Sequence, residues 1–206
     1  MLMKSRQILK PSLFLACLLP AVWLLFALLT DRLGANPIEA VTHETGQWTL
    51  RLLLLTLLMT PLRQRFGWGW PIRVRRMLGL FAFFYASLHL LTYLWLDQFF
   101  FWDEILRDII KRPFITVGML GFLLLVPLAV TSTNDMMRRL GRNWKRLHRL
   151  AYVVPVLGVL HYLWLVKADL REPLVYAVLL VVLLWQRRPA VRDRQVPAVR
   201  RGTSGA

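Results

Sequence analysis

Four stretches of this chain run on without a single Asp, Glu, Lys or Arg: residues 11–30, 77–96, 113–134 and 150–166. A helix needs about 20 apolar residues to cross a hydrocarbon core, so each stretch predicts a membrane span. Two shorter runs, 52–62 and 173–186, complete the pattern if Arg51 snorkels outward and the helix ends lie among headgroups. The expected fold is all-α, a polytopic bundle of six transmembrane helices. The first run follows Lys4, Arg6 and Lys10, as a secretory signal would. Its length exceeds the roughly 7–15 residues of a signal core, and no small-residue cleavage site precedes Asp31, so it is read as a helix that stays. The chain thus divides into a short cytoplasmic N-terminus (1–10), a membrane domain (11–186) and a basic tail (187–206).

Composition agrees with lipid as the solvent. Hydrophobic residues make up 57% of the chain, nine residues are Trp and mean hydropathy is +0.49, more than a soluble core requires. The net charge of +16 changes the picture only once its distribution is known. With the N-terminus inside, 20 of the 27 Lys and Arg fall in segments 1–10, 63–76, 135–149 and 187–206, whereas 9 of the 11 acids fall outside. That is the positive-inside asymmetry. Basicity is therefore topology, with both termini cytoplasmic and membrane lipid, not nucleic acid, as the partner it implies. The tail "RRPAVRDRQVPAVRRGTSGA" is Arg-rich and poor in bulky residues, which predicts disorder and attraction to anionic headgroups. Cys17, the single cysteine, lies among Leu and Ala and reads as a small hydrophobe.

The connections are short, which leaves no room for an extramembrane domain, so function must sit inside the bundle or at its faces. "GWGWPIR" (67–73) contains a fragment of a nucleotide-binding glycine pattern but follows no strand; it reads as an interfacial turn with Trp68 and Trp70 at headgroup level. Gly118, Gly121 and Gly158 read as close helix contacts or as clearance for a bulky ligand.

The histidines carry the candidate chemistry. His43 lies among acids in the outer segment "EAVTHETGQW" and reads as a solvated loop residue. His89, His148 and His161 fall in or beside the spans, where an ionisable side chain needs a partner and is a functional candidate by default. The third and fifth spans run parallel, so levels on them can be compared. His161 lies thirteen residues beyond His148, about 20 Å further out at 1.5 Å per residue, and His89 lies thirteen beyond Arg76. His89 is therefore level with His161, and Arg76 with His148. Paired imidazoles from facing helices suit a six-coordinate b-type haem, whereas zinc lacks thiolates or carboxylates at this depth. On one ideal helix, however, His148 and His161 point about 140° apart, unless Pro155 rephases it.

The thirteen-spaced pair on the fifth span, opposite a histidine on the third, resembles the ferric-reductase-like transmembrane domain of NADPH oxidases and iron reductases. The segments "TGQWTLRLLLLTLLMTPL", "RRMLGLFAFFYASLHLLTY", "PLAVTSTN" and "NWKRLHRLAYVVPVLGVLHY" make the chain more similar still to the haem-binding membrane subunits of bacterial periplasmic methionine sulfoxide reductase systems. The resemblance implies a bacterial inner-membrane protein holding haem b and FMN. It also implies electrons from the quinone pool or a cytosolic flavin reductase, passed to MsrP, a periplasmic molybdenum-cofactor reductase that repairs methionine sulfoxide in oxidised proteins.

Carried onto this sequence, the resemblance makes His89 and His161 the axial pair of one haem iron. His148 would serve a second, inner haem, but the oxidase pattern has a histidine where Arg76 stands here. Met77 is a chemically suitable substitute. Arg75 and Arg76 suit a haem propionate or a flavin phosphate better than iron, because arginine must lose a proton to coordinate. The chain shows no catalytic carboxylate pair, no nucleophile–base arrangement and no NAD-binding domain, so its redox role is a relay rather than that of the catalytic subunit. Two alternatives stay open: a quinol-linked cytochrome b with another acceptor, and a non-redox transporter or scaffold whose histidines serve proton relay or packing.

Overall fold

The computed structural model describes residues 2–166 and 169–187, with side chains from Leu9 onward. Of the expected tail only Arg187 is among them; Met1 and residues 188–206 lie outside the described residues. Every regular element among those described is helical: α1 (Leu2–Leu29), α2 (Pro37–Phe66), α3 (Trp70–Leu91) continued by a π-helical segment (Thr92–Asp97), α4 (Trp102–Lys111), α5 (Pro113–Val130), α6 (Asn134–Leu140), α7 (Arg142–Leu147), α8 (Leu150–Leu165) and α9 (Arg171–Trp185). Three segments, Leu9–Leu29, Trp70–Asp97 and Pro113–Val130, are long and apolar enough to cross a membrane. Large apolar side chains cover the exterior, among them Ile110 at 82%, Leu29 at 75% and Trp185 at 65% exposure. A surface of that kind belongs in lipid.

α2 departs from the expectation. It runs for 30 residues from Pro37, so the outer segment holding His43 is helix, not loop. Asn36 starts it: its Oδ1 accepts from the Glu39 backbone N–H and its Nδ2 donates to the Glu39 carboxylate, with Pro37 at the first helical position. The first bond is an N-cap, the second a side-chain pair that steadies it. Arg51 is held by partners toward the start of α2 and on α9. It donates to the Tyr176 hydroxyl (3.1 Å) and the Gln47 side-chain Oε1 (2.5 Å), with Glu44 at 3.8 Å and the Trp48 ring beneath it. At its other end α2 stops on Gly67, whose φ of 68° is the left-handed cap that only glycine adopts cheaply. Trp68 follows, stacked between Phe66 and Trp70.

Two helix defects are filled from other helices. Pro61 has no N–H, so the Leu57 carbonyl lacks its partner within α2. Arg187, just past α9, donates Nε to that carbonyl at 3.0 Å, bonds it again through Nη2, and reaches Thr60 Oγ1 at 3.0 Å. Beside Pro20 in α1, the fully buried Tyr85 hydroxyl inserts into the ladder, accepting from Ala21 N–H (3.0 Å) and donating to the Cys17 carbonyl (2.8 Å). Such cross-links matter in an apolar solvent, where an unpaired backbone group finds no water.

α2 packs most extensively on α3, and α5 on α8. The two hairpin-like pairs meet less closely, and the space between them is the site.

Candidate functional site

A cavity of about 540 Å³ lies between the α2–α3 and α5–α8 pairs, well within the range of small-molecule and cofactor sites. Its deep wall is apolar, built from residues such as Leu53, Phe122, Leu125 and Val154. Its mouth is polar, with Asn36, Glu39, Asp97 and Arg112. His89 and His161 both line it, their ring centroids 6.1 Å apart and their planes at 84°.

Both rings are held in the same manner. His89 Nδ1 meets the Thr42 carbonyl of α2 at 2.9 Å, and His161 Nδ1 meets the Phe114 carbonyl of α5 at 2.6 Å. A carbonyl only accepts, so each Nδ1 carries the proton and each neutral ring keeps its lone pair on Nε2. Each bond crosses from the histidine's helix to the helix packed beside it, which fixes the ring's rotation and tautomer. Two glycines make this possible. A Cβ on Gly118 would sit 2.7 Å from His161 Nδ1 and 2.9 Å from Cε1; one on Gly46 would sit 3.2 Å from the same atoms of His89. Gly118 is thus clearance for the histidine itself. Gly121 and Gly158 make ordinary helix contacts, with Leu157 and Leu50. What the site offers chemically is two oriented, neutral nitrogen donors in an apolar slot.

Residues 45–159, more than half the chain, match the family described as "Ferric reductase like transmembrane component". Among curated relatives, the "Protein-methionine-sulfoxide reductase heme-binding subunit MsrQ" of Rhodospirillum rubrum is 58% identical over 195 residues, covering 94% of this chain and 90% of that protein. The chain belongs to the MsrQ family. Proteins of the same name from Herminiimonas arsenicoxydans (53% over 191 residues, 88% of each chain) and Azospira oryzae (57% over 180 residues, 86% of this chain and 77% of that one) extend the agreement. This member of the MsrQ family therefore carries the ferric-reductase-like transmembrane component, as the resemblance implied.

His148 is placed quite differently in this MsrQ-family chain. It caps α7 and lies outside α8, its ring stacked on Trp144 at 3.9 Å, with Nε2 bonded to Thr131 Oγ1 at 3.1 Å. Because Thr131 Oγ1 spends its proton on the Pro127 carbonyl (2.6 Å), His148 Nε2 is the donor here. Burial first, and then the Arg75 charge, hold the His148 pKa below its ordinary value. His148 does not share α8 with His161, since α7 ends and α8 begins at the His148–Arg149 turn, so the azimuth expected on one ideal helix does not apply. Arg76, expected level with His148, bonds Asn134 at 2.6 Å; Met77 packs against the main core cluster, built from α1, α2, α3, α5 and α8. Arg75 and Arg76 lie away from the His89–His161 cavity, and His43 sits exposed at its rim. No three His, Cys, Asp or Glu side chains converge as a metal site among the described residues.

Sequence reasoning missed the holding groups: the carbonyls of Thr42 and Phe114, Gly46, and Arg112 at the mouth. It also missed a polar network beside the cavity, in which Tyr162 and Gln47 both donate to Glu172, at 2.8 and 3.0 Å. Gly46 had a readable signal, a glycine four residues past Thr42 in a helical stretch. The carbonyls had none.

Proposed function

We propose that the chain is the haem b electron-transfer subunit of a bacterial methionine sulfoxide reductase system, with His89 and His161 as axial ligands of one haem. The observation that carries this is the pair of imidazoles in the apolar cavity, each Nδ1 tied to a carbonyl. The two ring centroids stand 6.1 Å apart, one ring on α3 and the other on α8. The relatives' name, heme-binding subunit, supports the same cofactor. A haem bound there supplies a one-electron iron couple.

The chain's own contribution is to orient both donors, to exclude water with the deep apolar wall, and to fix each ring's tautomer by giving Nδ1 a carbonyl acceptor, which leaves the lone pair on Nε2. In this reading the bundle has six spans in the inner membrane, 11–186, with cytoplasmic termini, supported by the distribution of Lys and Arg. Electrons enter from the quinone pool or a cytosolic flavin reductase and leave outward to MsrP. An FMN has its cationic contacts at the inner basic face, around Arg75 and Arg76. His148 stands apart from the axial pair.

The test is the absorption spectrum of the purified chain. We expect a Soret band that shifts on reduction and is lost in His89→Ala and in His161→Ala. A colourless wild-type protein, expressed with ample haem, sinks the reading; a haem-loaded protein whose reduced form is not reoxidised by purified MsrP removes the partner and leaves the cytochrome.

A further inference from the structure

The cavity is polar at one end only, and its mouth has a single Lys or Arg among the described lining residues, Arg112. This residue forms the extended link between α4 and α5. It stands two residues from the carbonyl that holds His161 and is linked through Asp108 to the helix that carries His89. Phe114, two residues on, holds His161 by its carbonyl. On the other side Tyr93, four residues beyond His89, lies at hydrogen-bond distance (3.5 Å) from Asp108, and Asp108 pairs with Arg112 Nε at 3.2 Å. The link is fixed in turn, since the Arg112 N–H bonds the Asp108 carbonyl at 2.9 Å and Pro113 opens α5. Because Asp108 takes Nε, the two terminal nitrogens remain as a planar fork, the geometry that matches a carboxylate. Glu39 and Asp97 share the mouth, so an anionic edge arriving there has this one guanidinium to neutralise it.

We propose that Arg112 anchors the carboxylate edge of the planar cofactor held by His89 and His161, so that the ligand lies apolar edge inward and acid edge at the mouth. The proposal rests on the haem reading above and deepens it, assigning the propionate contact to a positioning residue on the opposite side of the site from Arg75 and Arg76.

The experiment uses the full-length protein purified with haem, its Arg112→Gln and Arg112→Lys variants, and apomyoglobin as haem acceptor. Haem per chain, the rate of haem transfer and the midpoint potential are the readouts. Arg112→Gln is expected to keep a bis-imidazole spectrum, to lose haem on the order of tenfold faster, and to show a lower potential, because an uncompensated carboxylate favours ferric iron. Arg112→Lys keeps the charge without the fork and falls between the two. Wild-type transfer rate and potential in Arg112→Gln overturn the anchor; if that variant does not accumulate, a wild-type transfer rate in Arg112→Lys overturns it. A wild-type chain without haem overturns the haem reading and the anchor together, whereas normal wild-type haem with an unaffected Arg112 variant removes the anchor alone.

Discussion

His161 and His148 lie thirteen residues apart, and the structure treats them in opposite ways. His161, like His89, gives Nδ1 to a main-chain carbonyl and turns the rest of its ring to a cavity. His148 gives Nε2 to a threonine hydroxyl and lies flat against an indole. The first arrangement leaves a lone pair on offer; the second encloses the ring on the nitrogen that would otherwise serve. An imidazole at membrane depth is therefore informative only together with the nitrogen that its neighbours occupy.

The largest effect expected from breaking this contrast is on colour. His89→Ala or His161→Ala should abolish the bis-imidazole haem spectrum, while His148→Ala should retain it; a His148→Ala protein that loses all haem would make the two environments equivalent. Gly118→Ala comes next. Its methyl would press on a ring that is tied to Phe114, at a cost of about 1–3 kcal/mol, so haem per chain should fall several-fold in the purified variant. Gly46→Ala, whose contact is at 3.2 Å and not 2.7 Å, should lower haem retention less; equal losses would show that the glycine clearance is not what sets ring position. Smallest is Thr131→Val, which removes the His148 acceptor for about 1 kcal/mol. It should lower the thermal midpoint slightly and leave the haem spectrum untouched.

How much of this was readable in the sequence depends on which interactions are local. Counting residues along parallel spans placed His89 level with His161, because rise per residue is nearly constant within a helix. The same count put His148 at the start of α8, and there it failed: the turn at His148 and Arg149 has no proline or glycine to announce it. The early start of α2 was legible in principle, since Asn36, Pro37 and Glu39 form a capping pattern, but a reading based on charge-free runs passes over a helix whose outer turns are polar. The partners of Tyr85, Arg187 and Arg51 were beyond reach. They join residues 68, 130 and 125 positions apart, and no periodicity in one chain encodes which helix will stand beside which.

The bond from Arg187 to Leu57 also orders the making of the protein. Pro61 leaves the second helix with a carbonyl that has no partner of its own, and the side chain that covers it is synthesised 130 residues later. The second helix is therefore finished by the residue that follows the last. A chain lacking Arg187 would leave that carbonyl without the guanidinium that covers it here, so the end of α9 and the proline gap in α2 are completed together.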